Sequence, residues 1–360
     1  MSKVLRRTLV VLIVFAIVLV LAVGGYVAYL FGTYSRLEDN LPLAVAGDVS
    51  EVLSAAEPHT VVTWNLGFGA YSADYSFFMD GGVHSRALSE DAVYENIGGA
   101  MEHLQALDAD LMLLQEVDIG STRSYHIDES ELVRAAFPDA ESVFAQNYDS
   151  AYLFYPFSEP HGASKAGQMT LSDARIDSAL RRSLPVEGGF MKFFDLDRCY
   201  SVSRIPVDNG RTLCLYNLHL SAYTSDGSIA DEQFQMMLED MQAEREAGNY
   251  VIAGGDFNKD LPGNSAEIFG VSGEDYTWAQ PLQQQLIPEG FLLVDSVDSQ
   301  QPVPSCRNAD RPYVQGESFV LTVDGFIVSD EVEVLSCNVE DTGFAYSDHN
   351  PVVLTFHLKD

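Results

Sequence analysis

Two stretches decide the fold: Gly255-Asp256-Phe257-Asn258 and, late in the chain, Ser347-Asp348-His349-Asn350-Pro351. Each sets acidic, amide or imidazole side chains against an apolar run. Tyr250-Val251-Ile252-Ala253 leads into Gly254-Gly255-Asp256, and Val352-Val353-Leu354-Thr355-Phe356 leads away from His349. Short apolar runs rich in β-branched residues and bounded by turn formers read as buried strands. The polar groups therefore stand where strands stop.

Working outward, the same interruption recurs. Val61-Val62-Thr63-Trp64 stops at Asn65, Leu111-Met112-Leu113-Leu114 at Glu116, and Leu213-Cys214-Leu215-Tyr216 at His219. Phe319-Val320-Leu321-Thr322-Val323 and Phe326-Ile327-Val328 add further β content. Between them lie two helical repeats. Val93, Ile97, Ala100 and Leu104 follow Ser89-Glu90-Asp91, an N-cap with an acidic first turn. Phe234, Met237, Leu238 and Met241 form a stripe opened by Ser228 and Asp231 and closed by Gly248. There is no internal repeat and no low-complexity tract. Mixed strands with a few amphipathic helices predict packed sheets with helices outside.

Strand ends meeting at one rim would gather these polar groups into a single cleft. Carboxylates and amide oxygens are hard ligands suited to Mg²⁺, Mn²⁺ or Ca²⁺. Two histidines beside them can shuttle protons or stabilise charge near neutral pH. Taken singly, Asn65 or Asn258 reads as a turn former, Glu116 as a solvated strand end, and either histidine as a structural residue. The ordered conjunction of five interruptions carries the functional reading.

That order resembles the endonuclease/exonuclease/phosphatase superfamily, the deoxyribonuclease-I-like fold. The matching residues are Trp64-Asn65, Gln115-Glu116-Val117-Asp118, Asn217-Leu218-His219-Leu220, Gly255-Asp256-Phe257-Asn258 and Ser347-Asp348-His349-Asn350-Pro351-Val352. Val323-Asp324-Gly325-Phe326-Ile327-Val328-Ser329 resembles that family's Ile-Asp-Tyr-Ile-Phe-Val strand, with Gly and Phe replacing its middle. The resemblance covers Thr60 to the C-terminus and implies an α+β, four-layer α/β/β/α sandwich.

It also implies roles. Asn65 and Glu116, with Asp256 and Asp348, would hold a divalent ion, usually Mg²⁺. Asp256 would orient or deprotonate the attacking water, and Asn258 would contact the phosphoryl group or the metal. His349 would pair with Asp324 at the phosphate centre, and His219 would act as general acid or stabiliser. The chemistry suits these residue types, since phosphoryl transfer is mostly positioning and electrostatics and needs no nucleophilic Ser or Cys.

One departure stands out. The family commonly carries an Arg soon after an Ile-Leu-Ser strand, whereas Met169-Thr170-Leu171-Ser172 is followed by Asp173. Arg123, Lys165, Arg175 and Arg307 are the candidate phosphate contacts, each with a solvated surface cation as the plain alternative.

Composition places the chain. Twenty basic against 53 acidic side chains give a net charge of −33, which disfavours holding long nucleic acid by its backbone. A hydrophobic content of 47% excludes wholesale disorder. Thr8 to Phe31 carries no charge, and Lys3, Arg6 and Arg7 precede it. That reads as one membrane span with a cytoplasmic N-terminus and an extracytoplasmic remainder. A cleavable leader is the rival, but Ala44-Val45-Ala46 lies far beyond the apolar stretch.

The expected organisation is 1–7 cytoplasmic, 8–31 transmembrane, 32–58 stalk and 59–360 catalytic domain. The expected activity is metal-dependent phosphoester hydrolysis at the cell membrane, with nuclease, phosphatase and lipid phosphodiesterase all open. A non-catalytic surface binding protein is the alternative, and no protein partner is evident. Tyr75, Phe77, Phe78 and Met79 form an aromatic cluster that either contacts lipid or packs internally. Cys199 and Cys214 are expected out of opposition, and Cys306 could pair with Cys337.

Overall fold

The apolar runs become strands and the two helical repeats become helices. The computed structural model describes residues 2–186, 188, 192, 197–222, 228–272, 278, 280–298 and 300–359. It divides into Met1–Arg36 and Leu37–Asp360. The first unit is one helix, α1 (Lys3–Thr33), long and apolar enough to cross a membrane.

The second unit begins with β1 (Leu41–Leu43), β2 (Val45–Ala46), β3 (His59–Asn65), α2 (Glu90–Leu107) and β4 (Leu111–Asp118). Next come α3 (Glu129–Ala136), β5 (Glu141–Asp149), β6 (Lys165–Ser172), β7 (Ser178–Ser183), β8 (Cys199–Pro206) and β9 (Thr212–His219). Then follow α4 (Ser228–Glu246), β10 (Tyr250–Asp256), α5 (Ser265–Phe269), β11 (Phe291–Leu293), β12 (Cys306–Arg307) and β13 (Val320–Leu321). The chain closes with β14 (Asp324–Ser329), β15 (Val332–Val339) and β16 (Val352–Leu358).

Two seven-stranded sheets result, ordered β1-β7-β8-β9-β10-β14-β11 and β15-β16-β3-β4-β6-β5-β2, beside a small β12-β13 ribbon. Successive side chains of a strand point to opposite faces. Val61, Leu111, Leu113, Leu215, Ile252 and Leu354 accordingly fill the layer between the sheets. Val62, Trp64, Met112 and Leu114 point the other way, onto Val93, Ile97, Ala100 and Leu104 of α2. Val251 and Ala253 turn outward onto Phe234, Met237, Leu238 and Met241 of α4. Central strands covered on both faces need apolar residues at every position, which is why they read as unbroken runs. The architecture is the expected four-layer sandwich.

Local signals behave as their chemistry dictates. Ser89 Oγ accepts the Ala92 N–H at 3.0 Å and caps α2. Gly248, at φ +90°, closes α4. The Ser228 side chain lies outside the described residues.

One reading changes and two open alternatives are resolved. The stretch 32–58 is folded from Leu37 onward. Leu41–Leu43 pairs with β7, Val45–Ala46 with β5, and Leu53 and Ala55 enter the inter-sheet core. Strands of two or three residues carry no periodicity to read, so they resembled a stalk. Tyr75 and Phe77 are buried in aromatic packing, while Met79 stays exposed. All four cysteines are free, and Cys306 packs on His349 rather than pairing with Cys337. As expected, Arg204 and not Cys199 stands opposite Cys214.

Gly255 shows how tightly β9 and β10 meet. It holds φ +149°, and an added Cβ would lie 2.0 Å from the Leu218 carbonyl oxygen. Backbone cannot yield that far. Gly255→Ala is expected to cost about 3 kcal/mol or more, measured by equilibrium urea unfolding.

Candidate active site

The registers bring the interruptions to one rim. In the first sheet, β9 and β10 end together with His219 beside Asp256, and antiparallel β14 begins with Asp324 beside Asp256. In the second, β3 ends at Asn65 beside Gln115 of β4. Val352 pairs with Thr63, which sets the turn carrying Asp348 and His349 next to Asn65. The indole of Trp64 fastens that turn by donating to the His349 carbonyl at 2.8 Å.

Glu116 arrives by a distortion. The β4–β6 register jumps between Leu114 and Val117, and Glu116 takes φ +53°. A left-handed conformation costs a non-glycine residue roughly 1 kcal/mol, and a bulge re-aims the side chain it carries. Here it turns Glu116 toward the rim instead of leaving it in the pleat. Asn258, at φ +49°, is chemically suited to the same conformation. Its side-chain N–H₂ donates to the Leu220 carbonyl at 2.8 Å, and its backbone N–H donates to Asp256 Oδ1 at 2.8 Å.

Asp256 is the hub. Its Oδ2 accepts from Asn65 Nδ2 at 3.1 Å, and the same amide reaches Glu116 Oε1 at 3.3 Å. Asn65 Oδ1 is taken by the Gly67 N–H at 3.0 Å. Two imidazoles flank the carboxylate: His219 Nε2 lies 3.4 Å and His349 Nε2 3.9 Å from Asp256 Oδ2. Burial above all, with Asp324 adding repulsion, pushes the Asp256 carboxyl up to about 7. The half-buried Asp348 is pushed up to about 6, chiefly by desolvation, with Glu116 contributing.

The two histidines are driven apart. Desolvation works against an imidazolium at both. At His349 it is outweighed by Asp324, whose Oδ2 lies 2.7 Å from Nδ1, and His349 rises well above the ordinary range. Ser305 Oγ holds that carboxylate by donating to Oδ2 at 2.8 Å, and Cys306 Sγ sits 3.6 Å from His349 Nε2. His219 has burial and the cations Arg198, His349 and Arg123 around it, and falls well below. The surroundings thus favour a proton on His349 and disfavour one on His219.

The four candidate phosphate contacts separate. Arg123 is buried, paired with Asp118 through Nε at 3.0 Å and Nη2 at 2.8 Å, and lies 3.9 Å over the Phe68 ring. It stands close enough to His219 to depress it, so it belongs to the site's edge. Lys165 is exposed at the start of β6, on the Asp118 side. Arg175 does not belong: β6 runs antiparallel to β4, so residues beyond Ser172 lie at the opposite sheet end from Glu116, and Arg175 pairs with Asp177 there. Arg307 spends its buried guanidinium on the carbonyls of Tyr71, Ser72 and Tyr75, and so organises a loop.

Other residues complete the site. Arg198, buried, donates to the His219 carbonyl at 3.3 Å. Asn217 Oδ1 accepts from Gln115 Nε2 at 2.8 Å, and its carbonyl accepts from Gln168 Nε2 at 2.8 Å, joining the two sheets below the cleft. The period-2 rule could have flagged Asn217, two residues before His219 and on the same face. Nothing in the sequence marks Arg198.

The donor set can be tested for a cation. Asp256, Asp324 and His349 offer atoms within 4.8 Å of one another, but the latter two already engage each other. Glu116, Asp348 and Asp256 are the better hard-oxygen donors, since burial raises the proton affinity of Asp348 and Asp256 and Glu116 adds to the crowding at Asp348. A divalent cation fits there. The Asn65 amide turns its N–H₂ to Asp256 and Glu116, so it would have to rotate to offer that cation its oxygen.

Residues 62–349 match the endonuclease/exonuclease/phosphatase family. Solved structures share the fold. One is an endonuclease/exonuclease/phosphatase from Beutenbergia cavernae, 18% identical, with TM-score 0.54 over 84% of this chain and 72% of that one. ANGEL2, a 2',3'-cyclic phosphatase in complex with adenosine-2',3'-vanadate, is 14% identical, with TM-score 0.55 over 89% and 99% of the two chains. The human Nocturnin catalytic domain with bound sulfate is 17% identical, with TM-score 0.53 over 88% and 97%. No curated protein sequence matches.

Two measurements check the electrostatics. A histidine raised by its partner adds stability that is complete below about pH 6.5 and is lost as pH rises through the folded value. Asp324→Asn should therefore bring the His349 NMR titration down sharply and destabilise the protein most below neutrality. Asp256 and Asp348 act in the same direction in a lower window, because raised carboxyls also lose stability as pH climbs, here from about 4 toward 7. Mg²⁺ should thus raise the melting temperature over an EDTA control clearly at pH 8 and little at pH 5.

Proposed function

The chain belongs to the endonuclease/exonuclease/phosphatase family, and from that premise we propose a membrane-anchored, divalent-metal-dependent phosphoester hydrolase. The observation that carries the reading is Asp256 set between two histidines, His219 and His349, and sharing the Asn65 amide with Glu116.

Asp256, with its carboxyl near 7, is matched to taking a proton from water at neutral pH. Asn65 and the Asn258 backbone N–H hold that carboxylate in place. An in-line displacement puts attacking and leaving oxygens on opposite sides of phosphorus. His349 stands only 3.9 Å from Asp256, on the water's side, so its imidazolium acts on the phosphoryl oxygens rather than on the leaving group. Asp324 and Ser305 keep it charged and oriented. His219, whose proton affinity burial and nearby cations lower, would serve as stabiliser rather than general acid. Arg123 and Arg198 add positive charge on its side.

Glu116 and Asp348, with Asp256, would hold Mg²⁺ in this cleft. A bound Mg²⁺ would supply the positive charge that offsets the charge developing on the phosphoester oxygens. The scarcity of surface cations favours small or lipid phosphoesters over long duplex. Basic Lys3, Arg6 and Arg7 ahead of the apolar helix favour an extracytoplasmic catalytic domain.

The purified full chain should hydrolyse bis-p-nitrophenyl phosphate with Mg²⁺ and not with EDTA. Asp256→Ala and His349→Ala should each lower kcat by about 10²- to 10⁴-fold, whereas Arg175→Ala should leave it unchanged. Absence of metal-dependent turnover across nucleotide, phospholipid and phosphomonoester substrates would sink the reading.

A further inference from the structure

The domain exposes large apolar side chains in one concentrated place. Phe154, Tyr155 and Phe157 are 50%, 65% and 85% exposed, and Met79 and Val83 stand beside them at 57% and 75%. They occupy two loops that brace each other. The Phe78 and Tyr155 rings lie 5.8 Å apart, Ser85 N–H donates to Glu159 Oε2 at 3.1 Å, and Arg86 Nε donates to the Pro160 carbonyl at 2.7 Å. Leu153 and Gly162 exchange backbone hydrogen bonds at 3.0 Å. The aromatics are thus held out into solvent by a built scaffold, at the cost of exposed apolar surface that soluble domains normally avoid.

Their position follows from the registers. The loop joins Asp149 of β5 to Lys165 of β6, and Ala166 stands opposite Asp118 just past Glu116. The other loop follows Asn65. Both rise from the catalytic rim. The chain also enters this domain at that rim. Leu37 N–H donates to Asp197 Oδ2 at 3.1 Å, and Leu41 pairs with Arg181 at the β7 end that meets Cys199, the start of β8 alongside the end of β9. Immediately before Leu37 lies the unit made of an apolar, bilayer-length helix.

We propose that the catalytic rim docks on a lipid bilayer through Phe154, Tyr155 and Phe157, with Met79 and Val83, and that the substrate is a phosphoester carried by a lipid headgroup. This rests on the anchored phosphoesterase described above. Tyr and Phe partition favourably into the bilayer interface, where a ring can be buried while a hydroxyl stays wet. The occupant is apolar and uncharged at the contact, because a domain with 16 basic and 53 acidic residues gains nothing from anionic headgroups. Docking through rings would therefore be insensitive to salt and would succeed on zwitterionic lipid.

The test uses the full chain reconstituted in phosphatidylcholine vesicles. A Phe157→Trp variant should show emission quenched by acyl-brominated phosphatidylcholine beyond the parent's own tryptophans, equally at low and high salt. Adding Phe154→Ser and Tyr155→Ser should abolish the extra quenching. Bis-p-nitrophenyl phosphate turnover is followed in every sample and should be unchanged, since none of these residues lines the cleft. No extra quenching, with the soluble diester still hydrolysed, overturns bilayer docking and leaves the phosphoesterase standing. Full quenching without turnover of any phosphoester upholds docking and overturns the phosphoesterase.

Discussion

One hydrogen bond crosses from sheet to sheet at the place where the chemistry gathers: Asn65 at the end of β3 donates to Asp256 at the end of β10, at 3.1 Å. Everything around it depends on two sheets ending at the same height. If β3 and β4 slid by one residue against each other, Asn65 and Glu116 would turn to the helix side and every inward apolar residue would turn with them. The inter-sheet core therefore enforces the register, and the register assembles the cleft. Gln115, Asn217 and Gln168 repeat the device one layer down, joining β4, β6 and β9 by buried amides. Such a bridge is tolerable because its amide N–H₂ groups all find acceptors, although the Gln168 side-chain oxygen is left without a partner.

The same closeness creates the site's central tension. Carboxylates crowd a cleft from which water is largely excluded, and the raised proton affinities of Asp256 and Asp348 measure that discomfort. The protein offsets part of it with His349, whose own proton affinity Asp324 raises, and with the buried Arg307 near Asp348. Arg123, near Glu116, and Arg198, behind His219, are buried there as well. A chain of net charge −33 thus keeps buried cations around its cleft.

Backbone departures are concentrated at this cleft. Glu116 leaves the pleat at a bulge, Asn258 takes a left-handed turn, and Gly255 allows β10 to approach the Leu218 carbonyl more closely than any side chain would permit. Regular strands would have carried the same residues to the rim and pointed half of them away. The irregularities choose which side chains face the phosphate.

Much was legible in the sequence. Unbroken apolar runs announced strands covered on both faces, Ser89 announced its helix, and Asn65, Glu116, His219, Asp256 and His349 were visible as polar stops, since local periodicity and capping leave local signatures. The edge strands at Leu41 and Val45 were not visible, because two- and three-residue strands have no period. Arg175 was misplaced and Arg198 overlooked for one reason: whether a cation faces the cleft depends on which end of an antiparallel strand it follows, and no local pattern records that. By itself the sequence determined the element types, the apolar helix and the chemical identity of the site. Only the tertiary structure decided which histidine is pushed toward its charged form, which arginines stand near the cleft, and which aromatics stand exposed, because burial and charge neighbours are properties of residues brought together from distant parts of the chain.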